Sequence, residues 1–313
     1  MSPLHHALVI VFILGAVCTY DTISLSESIY QRRRHVPKQC NFYAREHGAA
    51  RYAVVTLLTT SDYVRLASTL GKSLLLYSQL PCSIDRIALI TAESKITGSK
   101  ITELSDAGWE VRTIQTILSP EHINWNTVNT ARYIPLLTKL HIFNMTQYEA
   151  VLFLDSDMIA LGNIHVLFTD VLPEMKYRKM HMGWVRDQGG TFARTFNTGL
   201  LLVLPSTALF TDLMRFVRRG KYDTLFADQG VLNSYFGLTQ YDIDGRFNVM
   251  TNIPQDNATL YDSIRDDVRI FHSTLKPTDP FYISQCIWMR AHDLCRAWKD
   301  LDSLDIKFRR AIN

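Results

Sequence analysis

From Tyr52 to Leu154 the chain alternates between short β-branched apolar runs and segments with helical spacing, and this alternation constrains the fold most. Tyr52–Thr60 (YAVVTLLTT), Asp85–Thr91 (DRIALIT), Trp109–Ile117 and Ala150–Leu154 (AVLFL) read as strands. Tyr52–Thr60 is β-branched and apolar and Ala150–Leu154 fully apolar, as expected of buried strands. Between them, Tyr63–Ser78 sets Val64, Leu66, Ala67, Leu70, Leu74 and Leu75 at helical spacing, and Ser99–Ala107 and Arg132–Phe143 also read as helices. The order β-α-β-α-β-α-β predicts an α/β fold with a doubly wound, Rossmann-like, mostly parallel sheet flanked by helices. The second half is more mixed. Gly199–Leu204 reads as a strand, Thr207–Arg219 as an amphipathic helix, Asp228–Phe236 as a short helix, and Val268–Phe271 as a late strand ending at His272. Glycine and proline are dispersed and no repeat interrupts the pattern, so residues 51–313 are expected to form one domain.

In an open α/β sheet, ligands bind beyond the carboxyl ends of the strands. The run AVLFL ends in Asp155-Ser156-Asp157. Two carboxylates two residues apart in extended chain share a face, and they repel unless a cation sits beside them. Hard oxygen ligands favour Mg²⁺ or Mn²⁺, which keep open positions for phosphate oxygens. A bare D-x-D is common as a solvated loop; its place after an apolar strand in the middle of a β-α series is what gives it weight. A phosphohydrolase of the haloacid dehalogenase type also places D-x-D after a strand. That class calls for Thr or Val two residues further on and for a motif near the first strand, whereas Ile159 follows here and the motif comes on about the fourth strand.

The stretch Leu137–Ile164, LTKLHIFNMTQYEAVLFLDSDMIALGNI, resembles the core of family 8 retaining glycosyltransferases, the glycogenin-like group. Its phrasing is particularly similar to the branch of plant inositol phosphorylceramide glucuronosyltransferases. Val55-Thr-Leu-Leu, Leu70-Gly-Lys-Ser, Asn197-Thr-Gly, Asp228-Gln-Gly and Phe271-His-Ser-Thr-Leu-Lys-Pro continue the likeness in order, over roughly residues 52–280. The resemblance implies a single GT-A domain, Mn²⁺ (Mg²⁺ second to it) and a UDP-sugar donor. By matching position it implies Asp155, Asp157 and His272 as metal ligands, and imidazole beside carboxylates suits Mn²⁺ better than Mg²⁺. It assigns Leu57, Thr59, Thr60 and Tyr63 to the uridine, with Tyr63 stacked on the base. Ser156, Asn197, Arg132 and Lys276 fall to the donor, and Asp228, Gln229 and Lys139 to the catalytic side. Read without the family, Tyr63 is a helix-start aromatic, Lys139 and Arg132 lie on a solvated helix face, His272 is an ordinary histidine and Asp228 caps a helix. One departure stands out. The family usually places a glycine-containing segment between this His and the Lys-Pro, whereas His272 and Lys276 are four apart here. Glycine there lets backbone amides approach a diphosphate. A secreted UDP-sugar- or glycan-binding protein impaired in catalysis is the alternative that this shortened loop motivates.

The compartment is read from the other end of the chain. Ala7–Val17 is an unbroken apolar run, short for a membrane span and of the length of a signal-peptide core. Residues 1–18 are expected to be a cleaved signal peptide, with a short signal anchor as the alternative, and 19–50 a polar, basic stem. That leaves Cys40, Cys82, Cys286 and Cys295, an even number that suits two disulfides in an oxidising lumen. Three connectivities are open, and Cys286–Cys295 is the easiest pair. The sequons at Asn144 and Asn257 fit the same compartment, expected to be the Golgi or endoplasmic reticulum lumen, or the exterior. With 47% hydrophobic and 20% charged residues the balance is ordinary, and a net charge of +3 with scattered basic residues excludes nucleic acid as the partner. The expected partners are a UDP-sugar donor and a glycan, glycolipid, protein or polyol acceptor, with peripheral membrane association compatible with a lipid acceptor.

Overall fold

The computed structural model describes residues 51–120, 134–187, 195–224 and 226–305. The expected signal peptide, the stem and Arg132 lie outside the described residues.

A seven-stranded sheet organises the molecule, in the order β3-β2-β1-β4-β7-β6-β8. The strands are β1 (Tyr52–Leu58), β2 (Asp85–Thr91), β3 (Glu110–Ile114), β4 (Ala150–Leu154), β6 (Met182–Arg186), β7 (Phe196–Val203) and β8 (Tyr241–Ile243). β1 pairs in parallel with β2 and with β4, β2 with β3, and β6 with β8. β7 alone runs antiparallel, to β4 on one side and β6 on the other. The expected mostly parallel α/β sheet is therefore present, with one reversed strand that the sequence pattern did not distinguish.

The apolar runs explain the layering. Along β1 and β4, Val54, Leu58, Leu152 and Leu154 face one core, while Ala53, Val55, Leu57, Val151 and Phe153 face the other. The first core is closed by α1 (Val64–Tyr77), α2 (Ser99–Asp106) and α3 (Leu172–Tyr177). The second is closed by a 3₁₀ helix at Ile134–Asn144, α4 (Thr207–Arg219) and α5 (Ala227–Phe236). All five β4 side chains are buried. At about 1.5–3 kcal/mol for each large apolar side chain removed from water, this strand is a main anchor of the fold.

Two local expectations are corrected. The helix read over 132–143 is wound as 3₁₀ from Ile134, and the residues that bury it, Leu137, Leu140 and Phe143, recur every three positions, the 3₁₀ repeat. The strand read over 109–117 runs only from Glu110 to Ile114; before it the Trp109 indole turns onto α1, its Nε1 donating to the Ala67 carbonyl at 2.7 Å.

A second, three-stranded sheet, β5-β10-β9, stands beside the carboxyl end of β4. It consists of β5 (Met158–Ala160), β9 (Val249–Met250) and β10 (Ile270–His272). Its far side rests on a third core containing Tyr282, Cys286 and Trp298. Cys286 and Cys295 form a disulfide there, and Cys82 is also disulfide-bonded. Among the described residues no helix is long and apolar enough to cross a membrane.

Candidate metal and donor site

β4 leaves the large sheet at Leu154 and β5 enters the small one at Met158, so Asp155-Ser156-Asp157 is the junction of the two sheets. The two carboxylates do not converge by lying in extended chain, as the spacing suggested. The three residues form a tight turn, closed by the Met158 N–H donating to the Asp155 carbonyl at 3.1 Å. The Asp155 N–H donates to the Gly199 carbonyl on β7 at 2.8 Å, and the Asp157 carbonyl accepts from the Ser273 N–H at 3.1 Å. The motif is thus tied to the middle of β7 and to the exit of β10.

β10 carries His272 opposite Met158 in antiparallel register. One ligand atom from each of Asp155, Asp157 and His272 lies within 4.8 Å of the others. His272 Nε2 is 3.3 Å from Asp157 Oδ1. That oxygen is buried and makes no hydrogen bond, a cost of about 1–3 kcal/mol for a neutral acceptor and more for a charged one. A divalent cation held among the three atoms would remove the cost, so the residues fit one. Burial pulls His272 down, but the charge of Asp157, with Asp155 behind it, more than offsets this and holds the ring above its ordinary pKa.

Lys139 lies beneath the turn. It is buried, not on a solvated helix face. Its Nζ is 2.7 Å from Asp228 Oδ2 and 3.2 Å from Asp155 Oδ1, and it donates to the Thr198 carbonyl at 3.1 Å. Three acceptors satisfy its three N–H donors, and the Phe153 ring lies 4.8 Å from the ammonium. Burial lowers the ammonium's affinity for its proton, yet Asp155 and Asp228 outweigh burial and hold Lys139 above the usual lysine range. Burial raises Asp155, with Lys139 opposing and Asp157 adding to the shift. With the carboxyls ionised and His272 neutral, as metal ligation requires, three carboxylates against one ammonium leave two negative charges in excess, the complement of a divalent cation.

Asp228 is not a helix cap. It is the second residue of α5, whose first turn has no side-chain cap bond, and its carboxylate is taken by Lys139 and by Thr198 Oγ1, which donates at 2.8 Å. Ala227, just before it, adopts φ +50°, a left-handed conformation costing an L residue of order 1 kcal/mol or more. Asn197 and Gln229 meet at the same place: Asn197 Nδ2 and the Thr198 N–H both point at Gln229 Oε1, each at 3.4 Å.

The remaining residues expected at the site share this end of the sheet without touching the metal cluster. Val55 is level with Phe153, so Leu57 lies level with Asp155 and Thr59 and Thr60 follow beyond it. Leu57 is buried, Thr59 half-buried and Thr60 exposed; Tyr63 ends a 3₁₀ turn and is half-buried against the core. Ser156 is buried within the metal turn. Lys276 is exposed on the loop after His272, without an ion pair among the described residues. That loop is tightly closed: besides Ser273 N–H, Thr274 N–H is occupied, by the His272 carbonyl at 3.0 Å and Thr251 Oγ1 at 3.2 Å.

Three residues went unassigned in the sequence. Thr198 and Gly199 follow Asn197 within one motif, yet only the asparagine was given a role. A Cβ on Gly199 would stand 2.6 Å from His272 Cε1 and 2.7 Å from Met158 Cε, so the ring depends on glycine there. Asn248, which accepts from His272 Nδ1 at 2.9 Å, carries no local signal; only the fold brings it to the site.

Residues 54–277 match the family model described as Glycosyl transferase family 8. The chain is 32% identical over 190 residues to inositol phosphorylceramide glucuronosyltransferase 1 of Arabidopsis thaliana, 60% of this chain but 30% of that protein. It is 27% identical over 185 residues to human glycogenin-1, covering 59% of this chain and 48% of the relative. Among solved structures it superimposes on the galactosyltransferase LgtC, in complex with donor and acceptor sugar analogues, with a TM-score of 0.54 at 18% identity, covering 80% of this chain and 97% of that one. That likeness shows the fold, which is GT-A. The plant match spans about a third of the relative's length.

Proposed function

This chain belongs to glycosyl transferase family 8, and from that premise we propose that it transfers a hexosyl or hexuronosyl group from a UDP-sugar to a hydroxyl acceptor, with retention at the anomeric carbon. Asp155, Asp157 and His272 would hold a divalent metal, Mn²⁺ in preference to Mg²⁺. The observation that carries the reading is the junction of the two sheets, where this ligand set adjoins an Asp228 carboxylate locked to buried Lys139.

In the proposed reaction the bond from the anomeric carbon to the diphosphate oxygen breaks, and the acceptor oxygen bonds to the same carbon on the same face. The acceptor's proton leaves with the diphosphate. A cation held by these residues would neutralise the charge that grows on that leaving group. Lys139 holds the Asp228 carboxylate in place at 2.7 Å, so that it faces the anomeric centre as positive charge develops there. Asn197 and Gln229 orient the sugar beside it. Leu57, Thr59, Thr60 and Tyr63 receive the uridine at the end of β1, and Ser156 lies under the diphosphate. Ser273 and Thr274 amides are already bonded within the protein, so Lys276 provides the phosphate contact on this loop.

The donor most in keeping with the plant relative's name is UDP-glucuronate, and the acceptor class is a glycan, glycolipid, protein or polyol. The disulfide at Cys286–Cys295 and the bonded Cys82 support an oxidising secretory lumen or the exterior, with 1–18 as signal peptide, 19–50 as stem and 51–313 as the GT-A domain. A second reading is a UDP-sugar-binding protein impaired in catalysis. It draws on the short His272–Lys276 loop with its occupied amides.

Asp157→Ala distinguishes the readings. Under the lead proposal the variant melts close to the parent and releases no UDP; full turnover would refute the metal assignment. Binding of UDP by the parent without release from any UDP-sugar, across an acceptor panel, would favour the second reading.

A further inference from the structure

Asn248 ends the short turn Gly245–Phe247, one residue before β9, and is 1% exposed. Its side chain spans two partners. Oδ1 is 2.9 Å from His272 Nδ1, and Nδ2 is 2.8 Å from Asn197 Oδ1. An amide can be turned over without changing its shape, so its polarity has to be fixed by a group with only one role. The backbone supplies one. The Gly199 N–H donates at 2.9 Å to Asn197, and a backbone N–H cannot accept; the atom it meets is the carbonyl oxygen Oδ1.

The rest of the chain of bonds follows from that single donor. The Asn248 atom facing Asn197 Oδ1 must be the amide nitrogen. Its carbonyl then faces His272, and an acceptor there requires a proton on Nδ1. In the neutral ring Nε2 then keeps its lone pair, directed at the cluster of Asp155 and Asp157, the arrangement a metal ligand needs. On the other side, Asn197 Nδ2 is free to reach Gln229 Oε1 at 3.4 Å.

We propose that Asn248 is a positioning residue that sets the tautomer and ring plane of His272 for metal ligation, and that Asn248–Asn197–Gln229 is one polarised line of amides joining the metal ligand to the residues beside Asp228. The inference rests on the metal site of the proposed function and adds a residue to it. The partner is a neutral amide, whereas a carboxylate is a frequent partner for a metal-bound imidazole. Neutrality keeps the site at two excess negative charges, matched to a divalent cation.

The test compares Asn248→Leu and Asn248→Asp in the purified chain with the parent and with Asp157→Ala. Three readouts are independent of turnover: Mn²⁺ affinity from the electron paramagnetic resonance signal of free Mn²⁺, the two His272 ring nitrogens by ¹⁵N–¹H correlation without metal, and urea unfolding. Asn248→Leu should weaken Mn²⁺ binding by about 10–100-fold and move the ring out of the Nδ1–H tautomer. Asn248→Asp keeps an acceptor on Nδ1 and should hold that tautomer, with a smaller loss of Mn²⁺ affinity than Asn248→Leu. Parent binding no tighter than that of Asp157→Ala would remove the metal site itself. Metal binding that depends on Asp157 but is unchanged in Asn248→Leu would overturn the role of Asn248 and leave the site standing. Equal losses of affinity and stability in Leu and Asp variants would also overturn it, since packing alone would then account for both.

Discussion

Replacing Lys139 by Met keeps the length and most of the apolar stem but removes the ammonium between Asp155 and Asp228. The Asp228 side chain is 6% exposed and would lose its nearest cation, at 2.7 Å; Asp155, one-third exposed, would lose one at 3.2 Å. Leaving one partner of a buried ion pair alone costs about 3–5 kcal/mol. Asp155, partly exposed at the surface, adds less than Asp228 does. For a domain of this size the cost corresponds to a fall in melting temperature of roughly 6–20 °C. The pH dependence gives the sign. Lys139 is held above its usual range, so its pairing stabilises the parent throughout neutral pH and fades only as pH rises through that elevated value. In the variant the carboxylates face burial without the cation, and burial already raises Asp155 in the parent. A carboxyl that holds its proton more tightly when folded gains stability as pH falls through its raised pKa toward the unfolded value. The deficit of Lys139→Met relative to the parent should therefore shrink between pH 8 and pH 5. Urea unfolding of both proteins across that range measures it. A variant as stable as the parent at pH 8, or a deficit that grows on acidification, would show that Lys139 is a solvated lysine and refute the buried network.

Other consequences are open to direct measurement. Gly199→Ala places a methyl 2.6 Å from His272 Cε1 and should cost about 1–3 kcal/mol while weakening Mn²⁺ binding; unchanged affinity would show that the ring is not held against that glycine. Gly230→Ala would gain up to about 1 kcal/mol in an ordinary helix. Here its Cβ would stand 1.8 Å from the Asp223 carbonyl oxygen, so thermal melting should show destabilisation instead of a gain. Only neutral His272 ligates a cation and its pKa is raised, so Mn²⁺ affinity should fall on the order of tenfold per pH unit below that pKa; titrations at pH 8, 7 and 6 that give one affinity would contradict His272 as a ligand.

Much of this architecture was legible because it depends on local pattern. Runs such as AVLFL are apolar at every position because the sheet is covered on both faces, and that pattern placed Asp155 at the carboxyl end of a buried strand. The reversal of β7 was not legible: antiparallel and parallel buried strands have the same composition, and only pairing with β4 distinguishes them. The convergence of Asp155 and Asp157 was read correctly but for the wrong geometry, since a turn brings them together where extended chain was expected. Lys139 shows the same limit. A lysine on a helix usually points to water, and nothing nearby in sequence indicates that Asp228, 89 positions on, would draw it into the core. Asn248 and Gly199 matter through contacts with His272 that only the folded chain creates.

The most direct test of the central claim is UDP release by the purified chain from UDP-glucose, UDP-galactose, UDP-glucuronate and UDP-N-acetylglucosamine, with Mn²⁺ and with chelator, in the parent and in Asp157→Ala. Release from one donor that requires Mn²⁺ and disappears with Asp157 is the predicted result. Release indifferent to chelator and to Asp157, or silence across all four donors while UDP still binds, would contradict it.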